Sequence, residues 1–275
     1  MIMEKIRLAF SGSGYLAPVH AGAICAFMDE GVQIIEVAGT SGGSIAASLV
    51  ASGMSYRQIK AAALGDLPAG IVSYNPLELF REGLNTGDVL HGWLRSLFGD
   101  RTINNAVVPI TIMATDINAG CSFVFNSKET PEVLLSDACR ASASVPIVYV
   151  PAEVDGKKLT DGGMCCNIPV DQLILDDVPR FGIEVKDGAP TGTTDSMIGL
   201  IEQCLSTMLS SNEANLTAWA RQTGAKIIPV DATPYGFLNA SLTLDQKTEL
   251  FDRGYKAVTL ELQRSRTGDF VHQCD

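Results

Sequence analysis

The stretch IRLAFSGSGYLAPVHAGAICAFMDEGVQIIEVAGTSGGSIAASLVASG, Ile6 to Gly53, decides the fold. Its first piece, IRLAF (Ile6–Phe10), is a short apolar run that stops at Ser-Gly-Ser-Gly, the punctuation of a strand end. Val19, Ala23, Ala26 and Phe27 then recur at helical spacing, and Gly31 stands where a C-terminal glycine cap belongs. VQIIEVAG returns to strand character, and SGGSIAASLVASG reads as a helix of small residues ended by Gly53. A β-α-β-α order favours a parallel sheet with helices packed on it. The expected class is therefore α/β, with a mostly parallel central sheet between helical layers.

Later segments extend the pattern. From Ser55 to about Arg101 the chain is mostly helical, less regular, and carries Tyr74, Phe80, Trp93 and Phe98. Residues 55–101 are thus a candidate cap over a site, with plain helix packing on the sheet as the other reading. VVPITIMATDI (Val107–Ile117) is a strong strand, with CSFVF as its hairpin partner. PEVLLSDACRASASV reads as a helix ending before Pro146, and IVYVPAEVDGKKLTDGG as short strands around a turn at Asp155–Gly156. RFGIEVK and AKIIPVD are further strands. Ile198, Ile201, Leu205, Met208, Asn212, Leu216 and Trp219 share one helical face, and Phe251, Tyr255, Val258 and Leu262 mark a terminal amphipathic helix. Without an internal repeat or linker, one domain over 1–275 is the economical organisation.

Composition narrows the function. With 46% hydrophobic and 19% charged residues among 275, the chain can bury a large core. The formal net charge of −11 argues against nucleic acid and against electrostatic docking on anionic membranes. Lipid contact would need an apolar surface or a local basic patch. No run approaches a membrane span and the start lacks an apolar leader core, so a cytoplasmic location is expected. Seven Cys without regular spacing read as reduced thiols. The three His (His20, His91, His272) are far apart, and no calcium-loop carboxylate spacing occurs, so no metal or other cofactor is expected.

Two glycine turns carry the chemistry. Gly12-x-Gly14-x-x-Ala17 fits a dinucleotide fingerprint, with Glu36 placed 24 positions after Gly12. Glu36 lies inside a strand run, however, whereas a ribose-binding acid belongs at a strand's end. The same loop at a helix N-terminus can instead hold an oxyanion on backbone N–H groups. The second turn, GTSGG, fits G-x-S-x-G with Gly39, Ser41 and Gly43. A serine on a sharp strand-to-helix elbow needs small neighbours two positions away. It also needs a base. His272 sits in a polar tail and His20 lies on the first helix, where it packs or caps; Asp161, in KLTDGGMCCNIPV, is an acid able to act directly.

Taken together these segments resemble the patatin-like phospholipase family. LAFSGSGYLAPVHAG is similar to its glycine-rich oxyanion segment, GTSGGS to its nucleophile elbow, and DGGMCCNIPV to its aspartate segment. ATDINAG, ASASVP and LFDRGYKA resemble further family segments. The resemblance implies a patatin-like fold and a Ser41–Asp161 dyad. The oxyanion would be held by the amides of Gly12, Ser13, Gly14 and Gly42, with Gly39, Gly43 and Gly162 as motif glycines. It implies hydrolysis of a lipid or other acyl ester through an acyl-serine intermediate, with peripheral membrane contact and an unidentified activating partner left open. One position departs from the pattern: Leu16 replaces the family's Arg or Lys, and Ala17 the following glycine. That loss of a cation puts preference for phosphate-bearing lipids in doubt. It also keeps open a catalytically weak, lipid-binding or scaffolding role.

Overall fold

The computed structural model describes residues 5–71, 83–186, 203, 207, 217–220 and 222–267. A central sheet runs in the order β10-β9-β1-β2-β4-β8-β7, with β5 also pairing β4. Its parallel half consists of β1 (Lys5–Phe10), β2 (Gln33–Thr40), β4 (Ile110–Asp116), β9 (Arg180–Lys186) and β10 (Lys226–Asp231). β5 (Cys121–Phe125), β7 (Ala152–Val154) and β8 (Lys157–Asp161) join it antiparallel. The expected hairpin of CSFVF on the preceding strand is present. A separate two-stranded pair forms from β3 (Gly83–Asn85) and β6 (Ile147–Tyr149).

Residue alternation on β1 distributes the sheet's two faces. Ile6, Leu8 and Phe10 enter the large core, which packs against helices, while Ala9 enters a smaller one. On the large-core side lie α1 (Pro18–Asp29), α2 (Gly42–Ala51), α3 (Tyr56–Leu64), α4 (Asp88–Phe98), α5 (Leu135–Ser142) and the long α6 (Leu244–Thr267). The smaller core is closed by Ile168, Val170, Leu173 and Ala220, with Trp219 packed on it. The helix expected before Trp219 lies mostly outside the described residues, as do Tyr74, Phe80 and His272.

Helix α6 buries Leu250, Phe251, Val258 and Leu262, and Tyr255 is half-buried. It approaches α1 at backbone distance. A Cβ on Gly22 would collide with the Phe251 carbonyl, and one on Gly254 with the Val19 carbonyl. Gly31 and Gly53, read as helix stops, both have positive φ, +71° and +70°.

Glu36 is explained without a nucleotide. Its Oε2 accepts from Arg7 Nη1 at 2.6 Å and from the Ile174 amide at 3.2 Å, and Arg7 also pairs with Asp176. The carboxylate is buried in an ion pair with Arg7, which accounts for an acid inside a strand run without a ribose hydroxyl. No helix among the described residues is long and apolar enough to cross a membrane. Nor do the described residues hold three His, Cys, Asp or Glu grouped for a metal ion.

Candidate active site

Strand β2 ends at Thr40 and α2 begins at Gly42, so Ser41 occupies the joint. Its backbone has φ 52° and ψ −125°, a conformation costly for any residue with a side chain. The surroundings over-determine it. The Ser41 amide donates to Ser142 Oγ at 2.8 Å, and Ser142 Oγ in turn donates to the Met113 carbonyl at 2.5 Å. The Ser41 carbonyl accepts from the Ser44 amide at 2.9 Å and from Ser44 Oγ at 2.6 Å. Flanking glycines are required by space. A Cβ on Gly39 would strike the Gly43 carbonyl, and one on Gly43 would strike the carbonyls of Phe10 and Ser11.

Asp161 is the last residue of β8 and is buried. Its amide donates to the Ser144 carbonyl at 2.9 Å, and its own carbonyl accepts from Thr115 Oγ1 at 2.9 Å. Gly162 follows because a Cβ there would collide with the Met113 carbonyl, the acceptor that also anchors Ser142. The carboxyl is therefore set beside the elbow by the end of β4. Oδ1 accepts from the Gly163 amide at 2.8 Å, whereas Oδ2 is buried and makes no hydrogen bond of good geometry. Burial pushes the carboxyl up to about 6, against the opposing influence of the Ser41 side chain and the Gly163 amide. Ser41 thus acts on this carboxyl without being tightly bonded to Oδ2.

The first glycine loop lies against the same elbow. A Cβ on Gly42 would fall 3.1 Å from the Gly14 nitrogen and against Ser13 Oγ. Gly14 has φ +51° and is backed by the Phe237 carbonyl, so only glycine fits. Among the described residues the amides of Ser13, Gly14 and Gly42 donate to no protein acceptor. Gly12 differs from the expectation. Its amide is committed to Asn167, donating to the backbone carbonyl at 3.0 Å and to Oδ1 at 3.1 Å. It is a clamp for the loop rather than a free donor. Leu16 is fully buried in the core, so the position of the family cation is packed with hydrocarbon. His20 is also fully buried. Its Nε2 lies 2.9 Å from the Ser11 carbonyl, and burial lowers its pKa to about 4. It is a neutral packing residue at ordinary pH.

Ser41, Gly42 and Gly14 open into a cavity of about 90 Å³. Its walls are apolar and come partly from α3, α4 and β6, through Ala62, Leu90, Trp93 and Val148. Tyr15 and Tyr149 join hydroxyls at 2.8 Å, and Tyr149 also donates to the Ile71 carbonyl at 2.9 Å. Sequence reasoning passed over two residues here. Asn167 had a signal, its place six positions after Asp161 in a quoted motif. Lys247, which lines the cavity, had a subtler one. It is a cation in the first turn of α6, where the helix dipole favours acids.

A family model described as patatin-like phospholipase matches residues 8–174, more than half of the chain. An uncharacterized NTE family protein of Mycobacterium tuberculosis is 28% identical over 171 residues, covering 60% of this chain and 44% of that protein. The chain thus spans less than half the length of that relative. The uncharacterized protein R571 of Acanthamoeba polyphaga mimivirus is 27% identical over 279 residues, covering 93% of both chains. Among solved structures, VipD from Legionella pneumophila superposes with a TM-score of 0.60 at 15% identity, covering 96% of this chain and 67% of VipD. Human GIVD cytosolic phospholipase A2, bound to a fluorophosphonate inhibitor, gives a TM-score of 0.58 at 10% identity, covering 97% and 60%. These two likenesses establish a shared fold.

Proposed function

The chain belongs to the patatin-like phospholipase family, and on that premise we propose that it is a serine acyl hydrolase of lipid-like esters working through a Ser41–Asp161 dyad. The observation that carries this reading is the pairing of a strained elbow serine with a buried carboxyl that its side chain influences and whose Oδ2 makes no hydrogen bond of good geometry. Asp161 Oδ2 takes the Ser41 proton as Oγ attacks the ester carbonyl. The resulting oxyanion is held by the amides of Gly14 and Gly42, with that of Ser13 beside them. Asp161 returns the proton to the departing alcohol, leaving acyl-Ser41. Water, deprotonated by the same carboxylate, then releases the acid and restores the serine.

Residues 55–101 serve in this reading as the cap, since α3 and α4 supply cavity walls. The partner is a lipid or other acyl ester, met at a membrane through apolar rather than basic surface. A fluorophosphonate probe should label Ser41, and p-nitrophenyl ester hydrolysis should vanish in Asp161→Asn while the protein stays folded. Absence of both labelling and turnover in the wild type would favour the second reading, a lipid-binding or scaffolding module, which the loss of the loop cation at Leu16 motivates.

A further inference from the structure

Although Leu16 removes the cation from the glycine loop, the cavity is not without charge. Among the described residues that line it, Lys247 is the single charged side chain. We propose that Lys247 is a specificity-determining residue, whose ammonium pairs with a phosphate carried on the alcohol side of the scissile ester. The proposal rests on the acyl-hydrolase reading of Ser41.

Lys247 reaches the cavity from the first turn of α6 and is 7% exposed. Nζ donates to the Gly65 carbonyl at 2.7 Å, at the C-terminal end of α3. The Asp66 carboxylate lies 3.6 Å away, but its side chain is fully exposed, so water screens the pair. An ammonium has three N–H donors, and one carbonyl leaves it under-coordinated. The rest of the wall offers little, because it is largely apolar and the Tyr15 and Tyr149 hydroxyls bond each other.

A cost therefore falls on this residue. A mostly buried cation has given up water, and although the C-terminal end of α3 favours its charge, one carbonyl does not use all three N–H donors. A phosphate next to the ester offsets that cost, in a low-dielectric space where the attraction is strong. A neutral ester of equal length would leave the ammonium unpaired, and sites built to pair a group reject analogues that lack it.

The test compares kcat/KM for decanoyl glycerophosphate and decanoyl glycerol, which share the acyl chain and differ in the phosphate. Wild type should prefer the phosphate ester by about tenfold or more. Lys247→Met should bring the ratio close to one, and Lys247→Arg should keep most of it. Glycerophosphate, but not glycerol, should compete with decanoyl glycerol on the wild type, a measurement that needs no variant to fold. A wild type without preference, or a Lys247→Met variant that loses both substrates equally, overturns the proposal. Ser41→Ala separates the two readings. If it leaves hydrolysis intact, the acyl-hydrolase reading fails, whereas Ser41-dependent turnover with an unchanged ratio sinks the role of Lys247 alone.

Discussion

Asn167 accepts the Gly12 amide twice, on its backbone carbonyl at 3.0 Å and on Oδ1 at 3.1 Å. The segment that follows Asp161 therefore holds the glycine loop whose amides are the proposed oxyanion donors. Asn167→Ala keeps the backbone acceptor and loses the side-chain one. It should cost about 1 kcal/mol of stability, read by thermal unfolding, while lowering kcat more than it raises KM. An unchanged kcat would show that the loop needs no such clamp.

The Ser142 hydroxyl links the Ser41 amide to the Met113 carbonyl. In Ser142→Ala both backbone groups lose a buried partner, at about 1–3 kcal/mol each way of counting. Denaturant unfolding should register that loss, and fluorophosphonate labelling of Ser41 should slow as the elbow relaxes. Stability equal to wild type would mean that water replaces the hydroxyl.

Glycine substitutions should separate by position. Gly39→Ala would collide with the Gly43 carbonyl and the Ser44 backbone, so it should cost about 3 kcal/mol or more, or prevent folding. Gly31→Ala meets nothing within 4 Å and carries only the penalty of φ +71°, about 1 kcal/mol. Similar melting temperatures for the two variants would contradict the packing at the elbow.

Asp161 makes activity and stability respond oppositely to pH. As the proposed base it must be ionised, so kcat/KM should rise through about pH 6 and level off above it. The folded state holds the proton more tightly than the unfolded chain, whose carboxyl titrates near 3.8. The stabilising contribution is therefore fully present below that value and is lost as pH rises through about 6. The difference amounts to about 3 kcal/mol at neutral pH. Asp161→Asn should accordingly be more stable than wild type at pH 8 while inactive, a comparison that chemical denaturation at two pH values can make.

The β-α-β-α opening was legible because its signals are local. Apolar runs stop at glycines, and those at Gly31 and Gly53 do adopt the left-handed conformation their positions require. Ser41 and Asp161 were legible through their glycine neighbours, whose small size is demanded by nearby carbonyls. What stayed hidden depends on contacts across the chain. The pairing of Arg7 with Glu36 turns a would-be ribose ligand into a buried ion pair. The commitment of the Gly12 amide needs a residue 155 positions away. Lys247 reads as a polar position on an amphipathic helix until α3 and the cavity surround it.

The family match ends at residue 174, yet Gly22 inside it and Gly254 beyond it interlock at backbone distance. Neither glycine can enlarge alone, because each faces a carbonyl of the other helix. The two helices are thus bound by a shared steric constraint. A chimera grafting a relative's terminal helix onto this chain would inherit a workable seam only if the graft brought a glycine to that crossing. The helix that carries Lys247 is held by that requirement to α1, the helix that follows the glycine loop.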